Sequence, residues 1–131
     1  MQHMFKYTIQ ETDLDFVGHV NNATYVRIFE QARWQLLFDN GYTLADINRT
    51  QQTPIILSIN ISYLKELTAR QGIEVQTKFV DFKNKVGLLE QKMLITGSEI
   101  VACSAEISYG IFDMKSRKLI APSKEWLGII Q

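Results

Sequence analysis

The 131-residue chain has one cysteine, two prolines, two histidines and no net charge, and each shortage narrows what it can be. A lone Cys103 excludes an internal disulfide. Fourteen basic and fourteen acidic side chains cancel, so no global field draws the chain to nucleic acid or to an anionic membrane surface, and neither partner is expected. His, Cys and carboxylate residues form no cluster at ligand spacing, so no metal and no other cofactor is expected. Apolar runs are interrupted by charge well before membrane-spanning length. The opening "MQHMFKYTIQ" shows neither the apolar core nor the cleavage site of a signal peptide, and the expected compartment is the cytoplasm.

What is present is a chain with 46% hydrophobic residues, enough for the core of one domain over residues 1–131 and too short for a second. Residues 4–10 alternate, with Phe5, Tyr7 and Ile9 on one side, which predicts a strand ending near Glu11. A helix is predicted from about Ala23 to Asp39, with Asn21 or Asn22 as N-cap and Asn40-Gly41 as its stop. Its apolar stripe of Tyr25, Ile28, Phe29, Ala32 and Leu36 is widened by Val26, Trp34, Leu37 and Phe38, as in a helix covered on most sides. Residues 43–53 read as a polar connector. Period-two patterns follow: Leu57, Ile59, Ile61 and Tyr63 on one face, then residues 73–82, 86–97 and 99–113, divided by turn signals at 70–72, 83–85 and 97–98. In the last strand Val101, Cys103, Ala105, Ile107, Tyr109 and Ile111 share a face. A turn, a short strand extension and a closing segment begun by Pro122 complete the chain. The order predicts an α+β fold in which a curved antiparallel sheet of five or six strands wraps one long central helix.

Between the first strand and that helix lies "DLDFVGHVNNATY", residues 13–25, which carries far more chemistry than a turn needs. A helix N-terminus presents free backbone N–H groups, so this loop is the natural place for a site. Asp13-Leu14-Asp15, Gly18-His19-Val20-Asn21-Asn22 and Tyr25, with "FEQAR" at 29–33 and Tyr63-Leu64-Lys65 further on, resemble the 4-hydroxybenzoyl-CoA thioesterase-like branch of the hotdog-fold superfamily. The resemblance spans nearly the whole chain. It implies a hotdog fold, a homodimer or dimer-based homotetramer with sheets joined edge to edge, sites at the subunit interface, and hydrolysis of a thioester on coenzyme A or on an acyl carrier protein. It makes Asp15 the catalytic carboxylate, acting as base or nucleophile, and the backbone N–H of Asn22 the donor that polarises the carbonyl.

His19 either assists Asp15 or fixes the loop by hydrogen bonds. Asp13 reads as a turn former or strand-end hydrogen bonder, and Asn22 as an N-cap whatever the function. Glu30 and Arg33 are spaced to pair. Tyr25 and Trp34 suit the core, although either could line an acyl pocket, and Cys103 is a small core residue. His3 is a bystander. Lys83 and Lys85, at a strand turn, stand where related enzymes hold the phosphates of coenzyme A, with Lys65 as a further candidate; solvated turn lysines are the competing reading. After Lys65 this chain has Glu66, where the family often has proline. A non-catalytic module binding a fatty acid or similar acyl ligand is the alternative, but it leaves the central helix and its carboxylate loop unexplained.

Overall fold

The computed structural model describes residues 2–130. Six antiparallel strands form one sheet: β1 (Gln2–Thr8), β2 (Gln52–Tyr63), β3 (Gly72–Lys83), β4 (Val86–Ile95), β5 (Val101–Asp113) and β6 (Lys118–Ile120). Their order is β1-β3-β4-β5-β2, with β6 paired to β5. The long helix α1 (Asn22–Asp39) packs on one face, and two short helices, α2 (Leu44–Thr50) and α3 (Lys124–Ile130), complete the fold.

Helix α1 begins where the Asn21 side chain accepts from the Ala23 N–H, at 2.9 Å. Asn21 is therefore the cap and Asn22 the first helical residue. The helix stops at Gly41, whose φ of +84° suits a residue without Cβ. There the N–H of Tyr42 bonds to the Leu37 carbonyl and that of Gly41 to the Phe38 carbonyl, closing a Schellman motif. Tyr25, Ile28, Phe29 and Ala32 bury against Ile73, Val75, Leu89, Met93, Cys103, Ala105 and Ile107 of the sheet. Burying each larger apolar side chain contributes about 1.5–3 kcal/mol. A second cluster joins Leu36, Leu37 and Tyr42 to Ile111 and to Trp126, Ile129 and Ile130 of α3. The closing segment is thus a helix that seals the far end of α1, with Asn40 Nδ2 donating to the Ile129 carbonyl.

Several expectations need correction. The first strand ends at Thr8, and Glu11–Asp13 form a single 3-10 turn. The connector at 43–53 contains α2 and the start of β2. A register shift between Ile56 and Ser58 takes Leu57 out of the alternation, so Ile56, Ile59, Ile61 and Tyr63, opposite Tyr109, Ile107, Ala105 and Cys103, form the helix-facing stripe. That stripe outreaches α1: Ile56, Ile59 and Tyr63 are exposed, as are Trp34 and Phe38 on the helix itself. The helix is therefore not covered on most sides, and Trp34 is not core. Nor do Glu30 and Arg33 pair, since the Arg33 guanidinium donates instead to Gln91 Oε1 at 3.0 Å.

Candidate active site

The loop after β1 is built on Asp13. This carboxylate is 1% exposed and accepts from the Tyr7 hydroxyl at 2.7 Å, the Gln10 N–H at 2.8 Å and Arg27 at 3.0 Å. Burial, and then the bond to Asp13, push the Tyr7 phenol up to about 12. Asp13 is the strand-end bonder expected from sequence, and Arg27 is a partner the sequence did not reveal. From this anchor Leu14 bridges to Val20, and a tight turn closes between them with Asp15 N–H to the His19 carbonyl at 2.8 Å. Gly18 sits there at φ +81°, a conformation that strains residues with a Cβ.

Asp15 is exposed at the edge of this turn. One oxygen, Oδ1, accepts the N–H groups of Val17 at 3.0 Å and His19 at 3.3 Å; among the described residues nothing bonds to the other. The backbone thus fixes the direction of the carboxylate and leaves one oxygen open. Asp15, His19, Asn22, Tyr25 and Lys65 all line one cleft of about 370 Å³, together with Tyr63, Leu64 and Glu66. Its floor is the edge-to-face pair of Tyr25 and Tyr63, with ring centroids 5.3 Å apart. The Tyr63 hydroxyl donates to the Asn22 carbonyl at 3.0 Å. Because Asn21 caps Ala23, the Asn22 N–H has no acceptor among the described residues and lies at the positive end of the helix dipole.

His19 Nε2 lies 3.2 Å from Glu66 Oε2, and the imidazole makes no bond to the Asp15 carboxylate among the described residues. Glu66 and Tyr63 are therefore members of the site whose role there the sequence did not show, although Tyr63 opens the Tyr63-Leu64-Lys65 string and Glu66 follows it. The main chain of Lys65 is fixed, its N–H on the Ala102 carbonyl and its carbonyl accepting from the Tyr25 hydroxyl at 3.3 Å, while its side chain is exposed. Tyr25 is 4% exposed and belongs to both core and cleft. Lys83 and Lys85 do not join this group within one chain. They occupy the β3–β4 turn, roughly 35 Å along β3 from the end that adjoins the loop.

Cys103 is buried, and burial pushes its thiol up to about 12, which suits packing rather than nucleophilic attack. His3, read as a bystander, pairs with Asp39 at 2.7 Å. Among the described residues no three His, Cys, Asp or Glu side chains are grouped to hold a metal ion, and no helix is long and apolar enough to cross a membrane.

The comparisons with known proteins agree with this architecture. The long-chain acyl-CoA thioesterase FadM of Escherichia coli is 27% identical over 108 residues, covering 82% of this chain and 81% of that protein. Among solved structures, a Staphylococcus aureus protein in complex with CoA superposes with a TM-score of 0.90 at 18% identity, over 99% of this chain and 82% of that one. A 1,4-dihydroxy-2-naphthoyl-CoA thioesterase from Synechocystis superposes with a TM-score of 0.89 at 12% identity, over 99% and 96%. Residues 9–128 match the Thioesterase-like superfamily, and with its six-stranded sheet and long helix the chain belongs to that superfamily of hotdog-fold proteins.

Proposed function

We propose that this protein hydrolyses acyl-CoA thioesters to the free acid and CoA, with Asp15 as the essential carboxylate. The observation that carries the reading is that the open oxygen of Asp15 and the open N–H of Asn22 belong to residues lining the same cleft. Thioester hydrolysis needs those two things: a carboxylate that attacks the carbonyl carbon or activates the water that does, and a donor for the oxyanion. Membership of the superfamily and the likeness to FadM support the same chemistry. His19, with its Nε2 on Glu66, serves in this reading as a positioning residue, so His19→Ala lowers the rate less than Asp15→Asn does.

The working form in this proposal is a dimer joined along β2, an edge strand whose Ile56, Leu57 and Ile59 are exposed. Antiparallel pairing of two β2 edges sets the first half of one β2 beside the second half of the other. The β3–β4 turn lies at the sheet end where β2 begins, because Gly87 pairs with Tyr109 and Tyr109 with Ile56. The cleft lies at the end where β2 finishes. Lys83 and Lys85 of a second copy then share an end of the assembly with the cleft of the first. That supports their role, alongside Lys65, in holding the phosphates of coenzyme A.

The test is free-thiol release by the purified protein from short, long and aromatic acyl-CoAs. Steady turnover of at least one of them is the expected result. No release from any CoA ester, or from acyl carrier protein substrates tried next, would overturn the reading in favour of a module that binds acyl ligands.

A further inference from the structure

The turn that carries Asp15 is held mostly by itself. From Asp15 to His19 its backbone bonds close internally, with the Asp15 N–H on the His19 carbonyl at 2.8 Å and the Gly18 N–H on the Asp15 carbonyl at 3.2 Å. The Asp15 carboxylate takes two more N–H groups of the same turn, those of Val17 and His19. Phe16 and Val17, at its tip, are exposed, so burial of apolar side chains does not hold it either. Among the described residues one polar contact joins residues 15–19 to the rest of the molecule: His19 Nε2 lies 3.2 Å from Glu66 Oε2.

The chain beneath Glu66 is firm. Leu67, the next residue, is fully buried, and its carbonyl accepts the Val20 N–H at 3.0 Å. Before it, the Lys65 N–H is bonded to the Ala102 carbonyl at 3.0 Å. His19 and Glu66 thus each precede one end of the Val20–Leu67 bond, and their side chains rise from neighbouring points of two joined segments. An exposed ion pair gains little where two long side chains must be ordered from scratch. Here the backbone has already brought the two together.

This contact governs the spacing of two groups on separate bodies. The open oxygen of Asp15 rides on the turn, whereas the open N–H of Asn22 is fixed in the first turn of α1. An untethered turn pivots about the Leu14–Val20 bridge and varies that spacing, and misplaced reacting groups lose rate steeply. Resting on the thioesterase reading, we propose that Glu66 is a positioning residue: through His19 it tethers the turn and holds the Asp15 carboxylate at a set spacing from the Asn22 N–H. Glu66 touches no reacting atom in this role. It acts on kcat, and only while His19 is present.

The experiment compares wild type, Glu66→Ala, His19→Ala and the double variant on the best acyl-CoA, and measures 15N relaxation of the Phe16, Val17 and Gly18 amides in wild type and Glu66→Ala. Glu66 is exposed, so the melting temperature of Glu66→Ala should match that of wild type. The expected kinetic result is a kcat about fivefold lower with KM within about twofold, and no further loss when Glu66→Ala is added to His19→Ala. Order parameters of the three amides should fall from about 0.85 to below about 0.6. Unchanged kcat, a loss confined to KM, or an equal loss in the His19→Ala background would overturn the tether and leave the thioesterase reading standing. If wild type cleaves no thioester, that reading falls and relaxation alone decides the tether: amides that loosen in Glu66→Ala uphold it, and amides equally rigid in both proteins overturn it.

Discussion

Asp13 and Asp15 stand two residues apart and have opposite fates. Asp13 is buried with three donors on it, whereas Asp15 is exposed with one oxygen spoken for. The first is therefore a stability residue. Asp13→Ala leaves the Tyr7 hydroxyl and the Gln10 N–H without their acceptor, and urea unfolding is expected to show a loss of about 3 kcal/mol. A loss below about 1 kcal/mol would contradict the role given to the carboxylate. The sequence already distinguished the two, since a strand-end Asp has a structural job to do and the motif marks Asp15. What stayed hidden was Arg27, because only the docked helix brings its guanidinium to Asp13. The same holds for Arg33, whose spacing to Glu30 suggested a pair, whereas the docked helix brings its guanidinium to Gln91 instead.

Strong periodicity made α1 and the four long strands legible as elements, and α2 escaped for the converse reason. It has no buried residue, so it leaves no apolar pattern to read. Its start depends on a reciprocal capping box, Thr43 with Asp46, in which Asp stands where Glu or Gln is usual. The Thr43 N–H foremost, then Arg49, hold the Asp46 carboxyl below its ordinary range. A carboxyl with a depressed folded pKa contributes stability above its unfolded pKa, and that contribution is lost as pH falls through the folded value. The melting temperature of Asp46→Asn should therefore lie below that of wild type at neutral pH and converge with it in acid. A gap that stays constant down to acid pH would exclude the capping carboxylate as its source. The bulge at Leu57 was equally illegible, because alternation in β2 resumes on either side of it and only the pairing with β5 reveals the shift.

At the scale of the whole molecule, the proposed dimer would cover the exposed apolar stripe on β2 and bring the turn lysines of one copy to the cleft end of the other. Ile59→Arg should yield a species of lower mass in sedimentation and cost most of the activity, since a charge at a paired, apolar edge opposes association. An active variant of unchanged mass would remove β2 from the interface. Replacing Lys83 and Lys85 with Glu should raise KM for CoA esters well above its effect on a pantetheine thioester, because only the former carries the nucleotide phosphates; equal effects on both would deny the lysines that role. The proposed activity depends on the carboxylate in the turn before α1, and Asp15→Asn tests it most directly. Asparagine keeps an oxygen for the Val17 and His19 N–H groups, so the loop and the melting temperature should be preserved while kcat/KM for the best acyl-CoA falls by about a thousandfold. A variant that melts like wild type and retains kcat/KM within about threefold would show that Asp15 is not the catalytic carboxylate.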